Sequence, residues 1–191
     1  MERVRNWKNG GFTLVELALV LVIIGLLITG VLKGEALIQN AKVKKLVNQK
    51  DSLTAAFYTY YDRYNYYPGD APVANIPTQG HTDPAANAGN GQIDAGEIWV
   101  LFQDLSLAQI INGGYTGVAN SGPQNSFGGR TIIQYITTPA LNSNCVVFEQ
   151  IPYQVAQELD RKYDDAVYNT GTLRSSTVYT NTANKTLYWR M

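Results

Sequence analysis

The stretch NGGFTLVELALVLVIIGLLITGVLKG, residues 9–34, decides how this chain is read. Ahead of it, Arg3, Arg5 and Lys8 form a basic leader that closes on Gly10-Gly11. Phe12 opens an apolar run that reaches Leu32 and is interrupted by one acid, Glu16. At about 1.5 Å per residue this run predicts a helix of roughly 30 Å, enough to cross a bilayer core. A carboxylate inside such a helix costs roughly 3 kcal/mol on insertion scales, so its presence points to a function.

Gly11-Phe12-Thr13-Leu14-Val15-Glu16 resembles the prepilin peptidase site of type IV pilins and type II secretion pseudopilins. The likeness extends over the apolar helix and the amphipathic stretch after it, about a third of the chain. In that family the leader is cut after the glycine, and the new N-terminal phenylalanine is methylated. The resemblance therefore implies processing at Gly11 and Phe12, and an assembly role for Glu16. Cleavage places an amine at Phe12, on a helix end that already carries a positive dipole. A neighbouring subunit's Glu16 would neutralise it in a filament, and breaking such a buried pair costs about 3–5 kcal/mol.

The same resemblance implies the partners: other copies of the chain, further pilins, prepilin peptidase, and an inner-membrane assembly platform with its ATPase. It places the precursor in a bacterial inner membrane as a single-pass protein with a cytoplasmic N-terminus, and the mature protein in a periplasmic or extracellular filament. Lys33, Lys42, Lys44 and Lys45 balance the leader's charges, so the positive-inside rule alone leaves orientation undecided. A secretory signal would have a shorter apolar stretch and a small-residue cleavage site. No cysteine lies near the N-terminus to make a lipoprotein. An ordinary membrane anchor leaves Glu16 unexplained.

The chain has 191 residues and zero formal net charge. Residues 1–50 carry eight basic and three acidic groups, and the remainder seven and twelve. The distal part thus offers no broad cationic footprint, and no nucleic-acid partner is expected. Cys145 is the single cysteine, so no intramolecular disulfide forms. Many type IV pilins close a C-terminal loop with one, which leans this chain toward a pseudopilin-like or non-standard pilin. Cys145 precedes Val146-Val147-Phe148 and reads as a buried strand residue.

The pattern divides the chain into a leader (1–11), a membrane or filament-core helix (12–33), an amphipathic continuation (34–66) and a globular head (67–191). Leu46, Leu53, Phe57, Tyr60 and Tyr64 fall on one helix face, and Tyr66-Tyr67-Pro68-Gly69-Asp70 is expected to stop the helix. Gly30 and Gly34 form a GxxxG pair that permits close helix approach. Pilins often carry a proline near residue 33; this chain has none there. The head is expected to hold a helix from Ile98 to Ile111 ended by Asn112-Gly113-Gly114, and strands at 131–137 and 145–150. A helix opening at Pro152 should bury Val155, Ala156, Leu159 and Tyr163, and the tail 175–190 should form a hairpin around Asn181–Lys185. The expected class is α+β and pilin-like: a long N-terminal helix packed on a small antiparallel sheet with short helices.

Residues 68–96 read as a long loop, the kind that is usually functional or mobile. It contains the lone His81, expected in solvent. Asn90 to Glu97 resembles the second half of an EF-hand loop, giving a candidate calcium site at Asn90, Gln92, Asp94 and Glu97, with Asp70 and Asp83 as extra donors. Ala86 and Ala88 stand where two oxygen ligands belong, so a full EF-hand is excluded. The competing reading is Asp94-x-x-Glu97 as a helix-start capping arrangement. Asp164-Asp165 is a rival acidic pair, read as a solvated turn. The aromatic cluster Tyr58 to Tyr67 has helical spacing and reads as core and subunit interface.

Three functional classes remain distinguishable. A structural filament subunit explains the leader, Glu16 and the long helix together. A minor tip-located pilin would use its head to bind a surface, DNA or secreted cargo. A membrane-anchored enzyme finds no support: there is no nucleophilic triad, phosphate loop, paired cysteine or histidine cluster.

Overall fold

The computed structural model describes residues 11–72, 89–137, 141–180 and 182–191. Residues 1–10 of the leader, His81, Asp83, Ala86, Ala88 and Asn181 lie outside the described residues. The chain divides into two compact units, Met1–Ala41 and Lys42–Met191. Helix α1, Leu14–Tyr64, contributes its first part to one unit and its second part to the other.

In the N-terminal unit the large apolar side chains from Phe12 to Ile38 are exposed. Helices bury a face only when something packs on it, and among the described residues of this unit nothing does. The segment is long and apolar enough to cross a membrane. Thr29 satisfies its hydroxyl on the Gly25 carbonyl at 2.8 Å, the local bond expected of a threonine where water is absent. Gly25, Gly30 and Gly34 have open space where a Cβ would lie.

In the second unit the expected stripe is the buried one: Val43, Leu46, Leu53, Phe57 and Tyr60 are in the core, and Tyr64 packs at its edge. Burial thus begins at Val43, later than the sequence boundary at residue 34, which marks only where charges begin. The helix ends two residues sooner than expected. Asn65 takes a left-handed conformation (φ 61°), which asparagine tolerates at a helix end.

A four-stranded antiparallel sheet follows, in the order β1-β2-β4-β3, from β1 Thr131–Ile136, β2 Ser143–Ile151, β3 Leu173–Ser175 and β4 Lys185–Arg190. Central β2 buries Cys145 through Phe148 on both faces, whereas β4 alternates strictly, with Leu187 and Trp189 inward. Gln150, at φ 57°, sits in the bulge between Phe148 and Ile151. Helix α2, Ile98–Leu107, and helix α3, Tyr153–Tyr163, complete the α+β head.

Three local expectations need correction. Helix α2 stops at Leu107, short of Asn112-Gly113-Gly114, because Gln109 (φ 56°) closes a Schellman motif. Its marks are Gln109 N–H donating to Ser106 and Ile110 N–H to Leu105, both at 3.0 Å. Pro152 caps α3 instead of occupying its first turn, and Tyr163 is exposed, its ring tilted against Trp189 at 5.6 Å. The C-terminal hairpin pairs Leu173–Ser175 with Leu187–Trp189. Its first strand therefore precedes Val178 and Tyr179, and buried Tyr179 belongs to the connection.

Candidate functional site

Thr13 immediately precedes the first helical residue, and its carbonyl accepts the Leu17 amide at 3.2 Å. The Glu16 carboxylate folds back onto this end. Its Oε2 accepts both the Thr13 backbone N–H and the Thr13 hydroxyl at 2.8 Å, while the Glu16 N–H donates to Thr13 Oγ1 at 3.2 Å. This is a reciprocal capping box, in which two otherwise orphaned amides at a helix start are satisfied by two side chains. The embedded acid thus has a partner within its own helix, and that partner softens the cost of placing it there. Sequence reasoning singled out Glu16 and passed over Thr13; the pattern threonine-x-x-glutamate before an apolar run was the available signal. Phe12 stands one residue outside the box, 82% exposed.

The second cluster lies between the end of α1 and the start of α2. Asp70 is almost fully buried, and its carboxylate accepts the Gly89, Asn90 and Gly91 amides at 2.6, 3.2 and 2.8 Å. Gly69, at φ +83°, has no room for a Cβ, which would press on the Glu97 carbonyl and the Leu101 backbone; its amide donates to Asp104 at 2.8 Å. Glu97 is wholly buried. Its Oε2 accepts the Asp94 amide at 2.8 Å, the capping arrangement the spacing suggested, and its Oε1 is buried without a partner. Burial pushes the Glu97 carboxyl up to about 7, with the Asp70 and Asp94 charges adding to the rise and the Asp94 N–H opposing it. Burial likewise raises Asp70, against its three amides.

These contacts bear on the candidate calcium site. Asn90 Oδ1 is taken by the Gln92 amide, and its Nδ2 donates to Asp94. Both Asp70 oxygens and Glu97 Oε2 accept loop amides, so these acids fasten the loop, and Glu97 Oε1 is the one oxygen of the two carboxylates not engaged in doing so. Among the described residues, the acidic set whose oxygens all come within 4.8 Å of one another is Asp160, Asp164 and Asp165. Those too are engaged: Asp160 with Tyr179 OH at 2.6 Å and the Ala166 amide, Asp164 with the Leu173 amide at 2.7 Å, Asp165 with Thr170 Oγ1 at 2.5 Å. Asp164 and Asp165 lie in the bend after α3, with Asp165 exposed as expected, and the half-buried Asp164 also holds the first amide of β3.

The aromatic cluster splits in two. Phe57 and Tyr60 are core, whereas Tyr61, Tyr66 and Tyr67 line a pocket of about 300 Å³ with Asp70 and Gly89–Gly91. The Tyr67 ring stacks on both Phe57 and Tyr61 at 4.7 Å. Cys145 is buried, and burial pushes its thiol up to about 12, which leaves it unreactive.

With this geometry in place, comparison with known proteins bears directly on the helix start. The family model of the prokaryotic N-terminal methylation motif matches residues 8–32. That motif is the signature of type IV pilins and pseudopilins, and it supports a pilin-like or pseudopilin subunit with an inner-membrane anchored precursor. No curated protein and no solved structure matches the chain.

Proposed function

We propose that the chain is a structural subunit of a type IV pilus or type II secretion pseudopilus, cut after Gly11, methylated at Phe12 and polymerised through its N-terminal helix. The observation that carries this reading is Glu16 held at the start of an apolar helix whose large apolar side chains from Phe12 to Ile38 are exposed among the described residues. In a filament, neighbouring helices cover them. Glu16 Oε2 is spent on Thr13, so Oε1 is the atom left to meet the Phe12 amine of another copy. An amine and a carboxylate that leave water or lipid together stabilise the assembly, and removing either strands the other.

The partners under this reading are other copies, further pilins, prepilin peptidase and an assembly platform with its ATPase. The test is Glu16→Ala in the native host, with mass spectrometry of the N-terminus and electron microscopy of sheared filaments. Normal processing after Gly11 with sharply reduced filament yield is expected. Mature protein that begins anywhere other than Phe12 would refute the processing step, and full filament yield from the variant would refute the role of Glu16.

A further inference from the structure

The segment Gly89–Glu97 joins three parts of the head. Its start is held by Asp70, as described. Its middle lies on the sheet: the Ile93 amide donates to Asn144 Oδ1 at 3.0 Å, Asn144 Nδ2 donates to the Gly91 carbonyl at 3.0 Å, and the Tyr135 amide donates to the Ile93 carbonyl at 2.8 Å. Its end is Glu97, with no exposed surface and one orphaned oxygen.

The charges facing Glu97 are Asp70, from the loop after α1, and Asp94, from its own loop. Asp104 of α2 is buried close by on the Gly69 amide, and Tyr67 borders Asp70. Among the described residues, no lysine or arginine pairs with Glu97. A buried carboxylate in acidic company, with one oxygen lacking any donor, is stable there only when neutral.

We propose that Gly89–Glu97 is a proton-operated latch: neutral Glu97 seats the segment against α2 and the sheet, and ionised Glu97 releases it. The proton is the only species exchanged, moving from the Glu97 carboxyl to water. The rise of the Glu97 pKa toward neutrality agrees with this geometry. Release reshapes the pocket of Tyr61, Tyr66 and Tyr67, because Gly89–Gly91 form one of its walls. The head therefore presents a different face on the two sides of neutral pH.

The test is hydrogen exchange by mass spectrometry on the full chain in detergent micelles, between about pH 5.5 and about pH 8.5, corrected for the intrinsic pH dependence of exchange. Protection of the Ile93 and Asp94 amides is expected to fall by about tenfold or more as pH rises through that window. Glu97→Gln, which mimics the neutral acid, should hold protection constant. Asp94→Asn keeps an acceptor for Asn90, removes one repelling charge and should move the midpoint to lower pH than in wild type. Protection that ignores pH, or a fall that persists in Glu97→Gln, overturns the latch. Should Glu97→Gln fail to fold, Asp94→Asn decides, and an unmoved midpoint overturns it.

Discussion

Replacing Thr13 with valine keeps the shape of the side chain and the backbone N–H but removes the hydroxyl. The hydroxyl makes two of the three bonds in the capping box, one to the Glu16 carboxylate and one from the Glu16 amide. A hydrogen bond to a charged group contributes about 1.5–3 kcal/mol and a neutral one about 1 kcal/mol. Loss of a cap costs about 0.5–2 kcal/mol where water can replace it, and in a bilayer water cannot. A penalty of about 2 kcal/mol is therefore reasonable, equivalent to roughly thirtyfold in the population of correctly held Glu16. Thr13→Val should be processed normally yet yield about an order of magnitude fewer filaments, with subunit retained in the membrane fraction. Thr13→Ser restores the hydroxyl and should restore the yield. The assay compares sheared filaments with membrane-retained protein, after mass spectrometry has verified the mature N-terminus. Wild-type yield from Thr13→Val, or a serine variant as defective as the valine one, would refute the positioning of Glu16 by Thr13.

The stability of the head should fall as pH rises. Folding lifts the Glu97 pKa from an ordinary 4.5 to about 7, so its contribution is complete below about 4.5 and lost as pH climbs through about 7. The change is worth at most about 3 kcal/mol, and denaturant unfolding at about pH 5 and about pH 8 measures it; equal midpoints would contradict the burial argument. At Gly129 a Cβ would collide with the Glu149 carbonyl, so Gly129→Ala should cost about 1–3 kcal/mol and lower the melting temperature by several degrees. Tyr179→Phe leaves buried Asp160 without its hydroxyl donor, with an expected loss of about 1.5–3 kcal/mol in calorimetry. Calcium in excess should leave the melting temperature unchanged, because both Asp70 oxygens and Glu97 Oε2 already accept amides; a clear rise would show that these groups rearrange around the ion.

Local chemistry made some features legible. An apolar run after Gly11-Phe12 predicts the long helix, because membrane-length hydrophobicity is a property of adjacent residues. The stripe Leu46, Leu53, Phe57 and Tyr60 was readable for a similar reason, since helical period is local. Pairing distant in sequence was not. The register that sets Leu173 opposite Trp189, the Asp70 cradle around Gly89–Gly91 and the docking of Ile93 on Asn144 each join residues that no spacing rule connects. The Schellman stop at Gln109 was missed because glutamine is not a usual left-handed residue; the helix turned there to bury Leu105 and Ala108.

By itself, then, the sequence determined a membrane-length helix with an acid near its start, and a separate α+β head. Hydrophobic length and periodicity act along the chain and need no partner to be read. Only the tertiary structure decided that the acids near Asn90 fasten a loop, and that Glu97 is sealed from water with one oxygen unsatisfied. Those outcomes depend on burial and on donor geometry, which exist only once the chain has folded.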